Sequence, residues 1–288
     1  MVELHERRFN QRRRIKEKLF VALCFTATLI AIIALVALLV KVVRDGAGRL
    51  SAEFLTSFPS YKPERAGIKS PLIGTALVVG LTALIGIPIG VAAAVYLEEF
   101  QDRKTRLTEF IQVNISNLAG VPSIVYGLLG LAVFVRWMML GRSILAGALT
   151  MALLILPMVI IVSQEALRAV PSAYREGSYA LGATRWQTIR RQVLPAAAPG
   201  IFTGVILAIS RAIGETAPLI VVGAAASANF IPRNLMDSYV VLPLQVFSWS
   251  RYPQEAFHQN AAAAIIVLLV ALLLLNSVAI YLRGRARR

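Results

Sequence analysis

The chain has 288 residues, 57% of them hydrophobic and only 16% charged, whereas a soluble domain carries about 25% charged residues. That balance excludes an ordinary water-soluble enzyme or binding module and points to a membrane protein. The formal net charge of +15 would suit a polyanion, but the basic residues are spread between apolar segments rather than gathered in one patch.

Residues 1–18 form a basic tail with seven Lys and Arg. Residues 19–40 then lack Asp, Glu, Lys and Arg, a run long enough to cross about 30 Å of hydrocarbon as a helix. It is too long for a signal-peptide core and no small-residue cleavage site follows it, so it predicts an uncleaved first span. Cys24, the sole cysteine, lies inside it, which leaves no intrachain disulfide. Residues 44–69, with Pro59 and Pro63, read as a loop, and 70–97 as a second span containing GIPIG at 86–90. A short charged loop at 98–109 leads to a third apolar run at 110–135, broken by AGVPS at 119–123. The fourth run, 143–164, holds Pro157.

The loop 165–198 precedes a fifth run near 199–222, which qualifies as a span only if Arg211 and Glu215 are tolerated inside it. Pro195 and Pro199 discourage a continuous helix and set its lower edge, which puts Arg211 near mid-span. Residues 223–258 form the longest loop of the other side, rich in aromatic residues and proline, and fit either a segment that dips into the bilayer or a cover over an opening. The sixth run is 259–282, and RGRARR at 283–288 closes the sequence.

Six spans put both ends on one side. That side receives 19 of the 30 Lys and Arg, the other side 10, and Arg211 remains in the membrane. The positive-inside rule therefore predicts cytoplasmic termini, with the tails at 1–18 and 283–288 acting as topology signals and anchors to anionic lipid rather than as nucleic-acid ligands. The expected architecture is all-α and polytopic: six transmembrane helices in one membrane domain over 19–282. The Pro and Gly breaks, Pro218 included, fit either close helix packing or a water-lined cavity, since both satisfy the freed backbone groups.

Residues 164–200 are QEALRAVPSAYREGSYALGATRWQTIRRQVLPAAAPG. A helix is predicted after Pro171 from Ser172, with Tyr174, Tyr179 and Leu181 at near-helical spacing, and a stop at Gly182. Thr184 suits the N-cap of a second helix carrying Trp186, Ile189 and Val193, ended by Pro195. This helix, glycine turn and second helix, with arginines exposed and aromatic residues buried, fits a groove on a partner or an amphipathic segment on the membrane surface.

The same stretch resembles the coupling loop of ABC-importer permeases, whose pattern runs Glu-Ala-Ala, three residues, Gly, nine residues, Ile, one residue, Leu-Pro. Glu176 and Gly182 fall on its Glu and Gly, and Leu194 and Pro195 on its Leu-Pro; Gly177, Ser178 and Gln192 depart from it. Four more blocks, GIPIGVAAAVYLEEF (86–100), NLAGVPSIVYGLLGLAVF (117–134), RAIGETAPLIVVG (211–223) and LPLQVFSWSRYPQEAFHQNAAAA (242–264), resemble in order the PstA-type permease subunits of phosphate ABC transporters. The resemblance implies type I ABC importer architecture in a bacterial or archaeal plasma membrane, and a role as half of an inorganic phosphate pathway. It also implies as partners a second homologous permease, two ATP-binding subunits and an extracytoplasmic phosphate-binding protein. Glu176, Gly182, Ala183, Leu194 and Pro195 would then form the ATPase-coupling loop. No cofactor is expected on this chain, ATP and Mg being used by the partner ATPase; the absence of any Gly-Lys dipeptide agrees, because a P-loop needs one.

A charge near the centre of a spanning helix costs roughly 2.5–3.5 kcal/mol on insertion scales. Arg211 and Glu215, at i and i+4, can share that burden as a structural ion pair. Alternatively Arg211 faces the pathway, where a guanidinium fork suits phosphate and Glu215 competes for it once the anion leaves. Asn114, Ser116, Asn117 and Ser123 are weaker pathway candidates and fit bonds between helices as well. His5 and His258 lack the spacing of a metal site. An importer of molybdate or sulfate is the alternative function. A membrane enzyme is disfavoured for want of a convergent His, Asp or Cys set, and a stand-alone transporter would leave the 165–198 hairpin without use.

Overall fold

The computed structural model describes residues 2–101, 105–225 and 228–286; Met1, residues 102–104 of the expected charged loop, and Arg287 and Arg288 of the basic tail lie outside them. Every element among the described residues is helical. In chain order these are α1 (Val2–Gly46), α2 (Ala52–Thr56), α3 (Lys69–Glu99), α4 (Arg106–Ala119), α5 (Ser123–Gly130), α6 (Ile144–Arg168), α7 (Ser172–Ala180), α8 (Arg185–Thr188), α9 (Leu194–Gly214), α10 (Ala217–Val222), α11 (Leu242–Ser250) and α12 (Glu255–Ala286). A π-helical turn, Leu131–Trp137, extends α5, and another, Ile189–Val193, joins α8 to α9.

Five continuous helices are long and apolar enough to cross a bilayer: Lys16–Arg49, Lys69–Glu99, Ile144–Arg168, Arg185–Gly214 and Glu255–Ser277. The sixth expected span is not a rod. Arg106–Ala119 and Ser123–Trp137 meet at 104° across the Gly120–Pro122 break. Leu118 loses its regular helical donor at Pro122; its carbonyl accepts instead from the Val121 amide at 3.0 Å and from the Tyr126 hydroxyl at 2.8 Å.

The fifth span departs further from expectation. Its helix runs through Pro195 and Pro199 instead of starting beyond them, and stops at Gly214 instead of continuing to 222. In the first difference the wide π-helical turn accounts for Pro195: the Leu194 amide bonds the Ile189 carbonyl five residues back, loosening the backbone just where Pro195 withholds a donor, while Pro199 sits within the regular helix. Pro218 explains the second. Its ring would strike the carbonyl of Gly214, four residues earlier, so Glu215 turns extended and a new helix starts at Ala217.

The core lies where α3, α6 and α9 meet, around Val78, Met151, Ile155, Val159, Val205 and Ala208. α3 and α6 run parallel and approach through small residues: Gly86 sits on Ile155, Gly90 on Val159, and the Thr82 hydroxyl donates to the Ala148 carbonyl at 3.3 Å. α9 runs antiparallel to α6, with Gly200 against Ala166 and Gly204 against Val162. A second cluster, Phe54, Ile68, Leu242, Trp249 and Phe257, joins α2 and α11 to the start of α12. The aromatic 223–258 segment is therefore partly a buried element rather than a free cover. By contrast, the apolar stretch of α1 is unburied among the described residues, and the helix meets α12 near its end, where Gly46 lies against Ala262 and Ala263.

Gly74 of α3 sits directly under the Val240 carbonyl oxygen, which a Cβ would overlap. Gly74→Ala is expected to lift the buried 239–242 segment and destabilise the bundle by about 1–3 kcal/mol, read as a lower unfolding temperature in detergent.

Candidate functional site

Because α9 pairs antiparallel with α6 in that register, the end of α9 falls opposite the middle of α6, not opposite its end. Arg211 occupies the last turn of α9 and thus stands at mid-depth. The observed helix stop is what creates this placement: α9 ends halfway up the bundle and leaves its last carbonyls there, where a cation is favourable to the helix dipole. The Arg211 side chain is 58% exposed and that of Glu215 is 21% exposed. Nε of Arg211 and Oε1 of Glu215 are 3.6 Å apart, an ion pair beyond hydrogen-bond length. The two do not share a helix face as their spacing suggested, since Glu215 lies past the helix end; the extended turn brings its carboxylate back.

Arg211 borders a cavity of about 230 Å³. Its walls are the end of α4 (Leu118, Ala119), Val121 and Tyr126 of the bent pair, the central stretch of α6 from Leu154 to Val162, and Ala208. Except for the guanidinium and the Tyr126 hydroxyl, which is committed to Leu118, the side chains lining this cavity are apolar. α10 then packs across α5, its Pro218 backbone seated on Gly127. Of the weaker candidates, Asn114 is turned to its own helix, donating to the Phe110 carbonyl at 2.7 Å, and Ser116 and Asn117 are exposed.

The second group of expected residues forms the hairpin. α7 ends as expected, with Gly182 at φ +79°, and Thr184 caps α8 in a reciprocal capping box with Gln187. The Ser178 and Thr188 hydroxyls bond at 2.8 Å and hold the two arms together. Glu176, Gly182 and Pro195 are exposed, while Ala183 and Leu194 are half-buried. An open groove of about 440 Å³ lies between the arms, lined in part by Tyr174, Gly177, Leu181 and Gln187. The expected burial is inverted here. Tyr174, Tyr179, Leu181 and Trp186 are exposed, and an arginine is the anchored residue.

That arginine is Arg175, which the sequence reading passed over together with Glu98 and Glu99. Its Nε and Nη2 donate to both carboxylate oxygens of Glu99, at 3.2 and 2.6 Å, and Nη1 and Nη2 donate to the carbonyls of Val170 and Leu167 at 2.9 and 3.0 Å. The hydrogen bonds to Glu99 hold the Arg175 guanidinium above its ordinary pKa. Arg168 forms a parallel pair with Glu98 in a more exposed position. The available signal was two glutamates ending a span on the same side as an arginine-rich hairpin. Tyr126, also missed, had none beyond its place four residues after Pro122.

Residues 86–288 match the family described as binding-protein-dependent transport system inner membrane component. Over 252 residues the chain is 39% identical to phosphate transport system permease protein PstA 1 of Mycobacterium tuberculosis (strain CDC 1551 / Oshkosh), covering 85% of this chain and 81% of that protein. It is 33% identical over 266 residues to phosphate transport system permease protein PstA of Haemophilus influenzae, covering 92% of each. Among solved structures it resembles the inward-facing MetNI methionine ABC transporter, with a TM-score of 0.58 and 18% identity over 75% of this chain and 95% of that one, a likeness of fold.

Tyr126→Phe removes the one side-chain donor given to the Leu118 carbonyl at the α4–α5 bend. The expected loss is about 1 kcal/mol of stability, measurable as a lower melting temperature in detergent with insertion unchanged.

Proposed function

The chain belongs to the binding-protein-dependent transport system inner membrane components, and from that membership we infer that it is a permease subunit of an ATP-driven phosphate importer, forming half of the translocation pathway. It is a multi-pass, all-α membrane protein of type I ABC importer architecture and not itself an enzyme; ATP is hydrolysed on a separate subunit. We further propose a plasma membrane of a bacterium or archaeon, cytoplasmic termini, one related permease, two ATPase subunits that use ATP and Mg, and an extracytoplasmic phosphate-binding protein. The charge asymmetry supports that orientation, placing the 165–198 hairpin inside with the ATPase.

The observation that carries the pathway assignment is the half-exposed Arg211 at mid-depth beside an otherwise apolar cavity. A guanidinium stays protonated at every relevant pH and presents a planar fork to phosphate oxygens. A permanent clamp would hold the anion; transit needs a site that admits and releases. Glu215 supplies the release. At 3.6 Å it stands close enough to neutralise Arg211 when the site is empty and too far to lock it. The anion and the carboxylate thus alternate as partners of one cation, and the helix break lets Glu215 move without unwinding α9. On the inner side, the exposed aromatic face and groove of α7–α8 receive the ATPase, with Glu176, Gly182, Ala183, Leu194 and Pro195 as the seat.

Two substitutions separate these roles in the reconstituted complex. Arg211→Gln should lower phosphate uptake by about 10- to 100-fold, the worth of hydrogen bonds to a charged group, with assembly intact; unchanged uptake removes Arg211 from the pathway. Gly182→Leu forces a side chain into the left-handed turn at φ +79°. It should abolish ATP-driven uptake while insertion persists, whereas loss of insertion would make the hairpin merely structural. Stimulation of ATPase activity by phosphate, and not by molybdate or sulfate, checks the substrate.

A further inference from the structure

The hairpin raises a mechanical question. No residue of α7 is buried, its aromatic side chains face away from the bundle, and Gly182 leaves it a flexible joint to α8. A helix so loosely covered cannot by packing alone carry a displacement to a cavity at mid-depth. The Ser178–Thr188 bond ties it to the other arm of the hairpin; what ties it to α3 and α6 is one guanidinium. Arg175 uses four hydrogen bonds to join three elements: the carboxylate of Glu99 at the end of α3, and the carbonyls of Leu167 and Val170 at and beyond the end of α6. Glu99 is 6% exposed and Leu167 and Val170 are buried, so these bonds are largely shielded from water. The neighbouring Arg168–Glu98 pair also joins α6 to α3, but with Arg168 58% and Glu98 16% exposed it is more open to water than the Arg175–Glu99 pair and correspondingly weaker.

Resting on the permease reading above, we propose that Arg175 and Glu99 are a positioning pair that makes α7 a rigid extension of the α3–α6 wall, so that motion imposed on α7 by the ATPase reaches the Arg211 cavity through α6. The path is short and continuous. From Leu167 the helix runs about 20 Å to Leu154, which lines the cavity with Arg211. α3 moves with it, since Gly86 and Gly90 seat directly on Ile155 and Val159. The other arm of the hairpin feeds a different element: α8 continues through buried Ile189 and Val193 into α9, which carries Arg211 itself. The hairpin therefore holds both walls of the site, one by the clamp and one by a continuous helix, with Gly182 between them as the joint. A push on the hairpin shifts α6 against α9, and the cavity between them changes. Arginine is required at the clamp because four bonds in two directions need a planar fork; a lysine ammonium keeps the charge but not that geometry.

The test uses the complete transporter in proteoliposomes: this chain, its partner permease, the ATPase subunits and the phosphate-binding protein, with inorganic phosphate as probe. Phosphate transported per ATP hydrolysed is the readout, because a residue that only stabilises the fold leaves that ratio alone. Arg175→Lys and Glu99→Gln should each lower the ratio by about 5- to 150-fold, the usual span of a coupling between sites, with ATPase subunits still bound. Combining them should be no worse than either alone, since they break one unit. Glu98→Gln, in the exposed pair next door, should leave the ratio at the wild-type value. Should the single variants fail to assemble, Glu99→Gln with Arg175→Met removes both buried charges at similar volume, and this folded double variant should still be uncoupled. A wild-type ratio in Arg175→Lys or in that double variant overturns the clamp, as does an equal fall in Glu98→Gln. A wild-type complex that hydrolyses ATP without moving phosphate would instead overturn the functional reading, whatever the variants do.

Discussion

A helix that ends opposite the middle of α6 leaves its last carbonyls inside the length of the bundle, and the rest of the site follows from that. Pro218 forces the end at Gly214; the end calls for a cation, and Arg211 in the final turn provides it. The cation in turn calls for an anion, and Glu215, swung back by one extended residue, stands at 3.6 Å. Neither partner is hydrogen-bonded to the other, so the neutralisation is incomplete. An incompletely neutralised cation beside an otherwise apolar cavity is a place where an anion can bind without being locked in, since the carboxylate can take its place on departure. One proline thus sets the backbone geometry of the proposed site.

The same reasoning divides the chain into parts that are finished and parts that are not. The α3–α6–α9 core is packed through glycines that admit no Cβ, and the loop end is sealed by the Phe54–Trp249–Phe257 cluster. The long apolar face of α1 and the aromatic face of the hairpin have no cover among the described residues. Apolar surface of that extent on a folded element belongs to lipid or to another subunit.

Much of the organisation was legible in the residues. Long runs without charge marked the spans because hydrocarbon tolerates little else, and Gly182 and Thr184 marked the hairpin because a left-handed turn and an N-cap demand such residues. The errors have physical causes too. Pro195 and Pro199 looked like helix boundaries, yet a π-helical turn just before Pro195 loosens the backbone there and the helix runs on through Pro199, and nothing local in the sequence announces such a turn. The hairpin aromatics looked buried because amphipathic spacing tells which residues share a face but not whether this chain covers that face. Arg175 and Glu99 are 76 residues apart, and no periodicity relates the end of one span to the helix after another.

Arg211 and Arg175 show what decides the role of a membrane-protein arginine. Both carry the same charge and both face a glutamate. Arg175 commits four of its five N–H donors to a buried carboxylate and two carbonyls, an arrangement suited to holding. Arg211 is under-coordinated, half exposed and beside a cavity, so it can exchange. A cation that transmits force must keep its partners through the cycle, whereas a cation that passes an ion must be able to give one up. The difference lies in the count and length of the bonds around each guanidinium, and it is the ground on which Arg175 is proposed for coupling and Arg211 for the path.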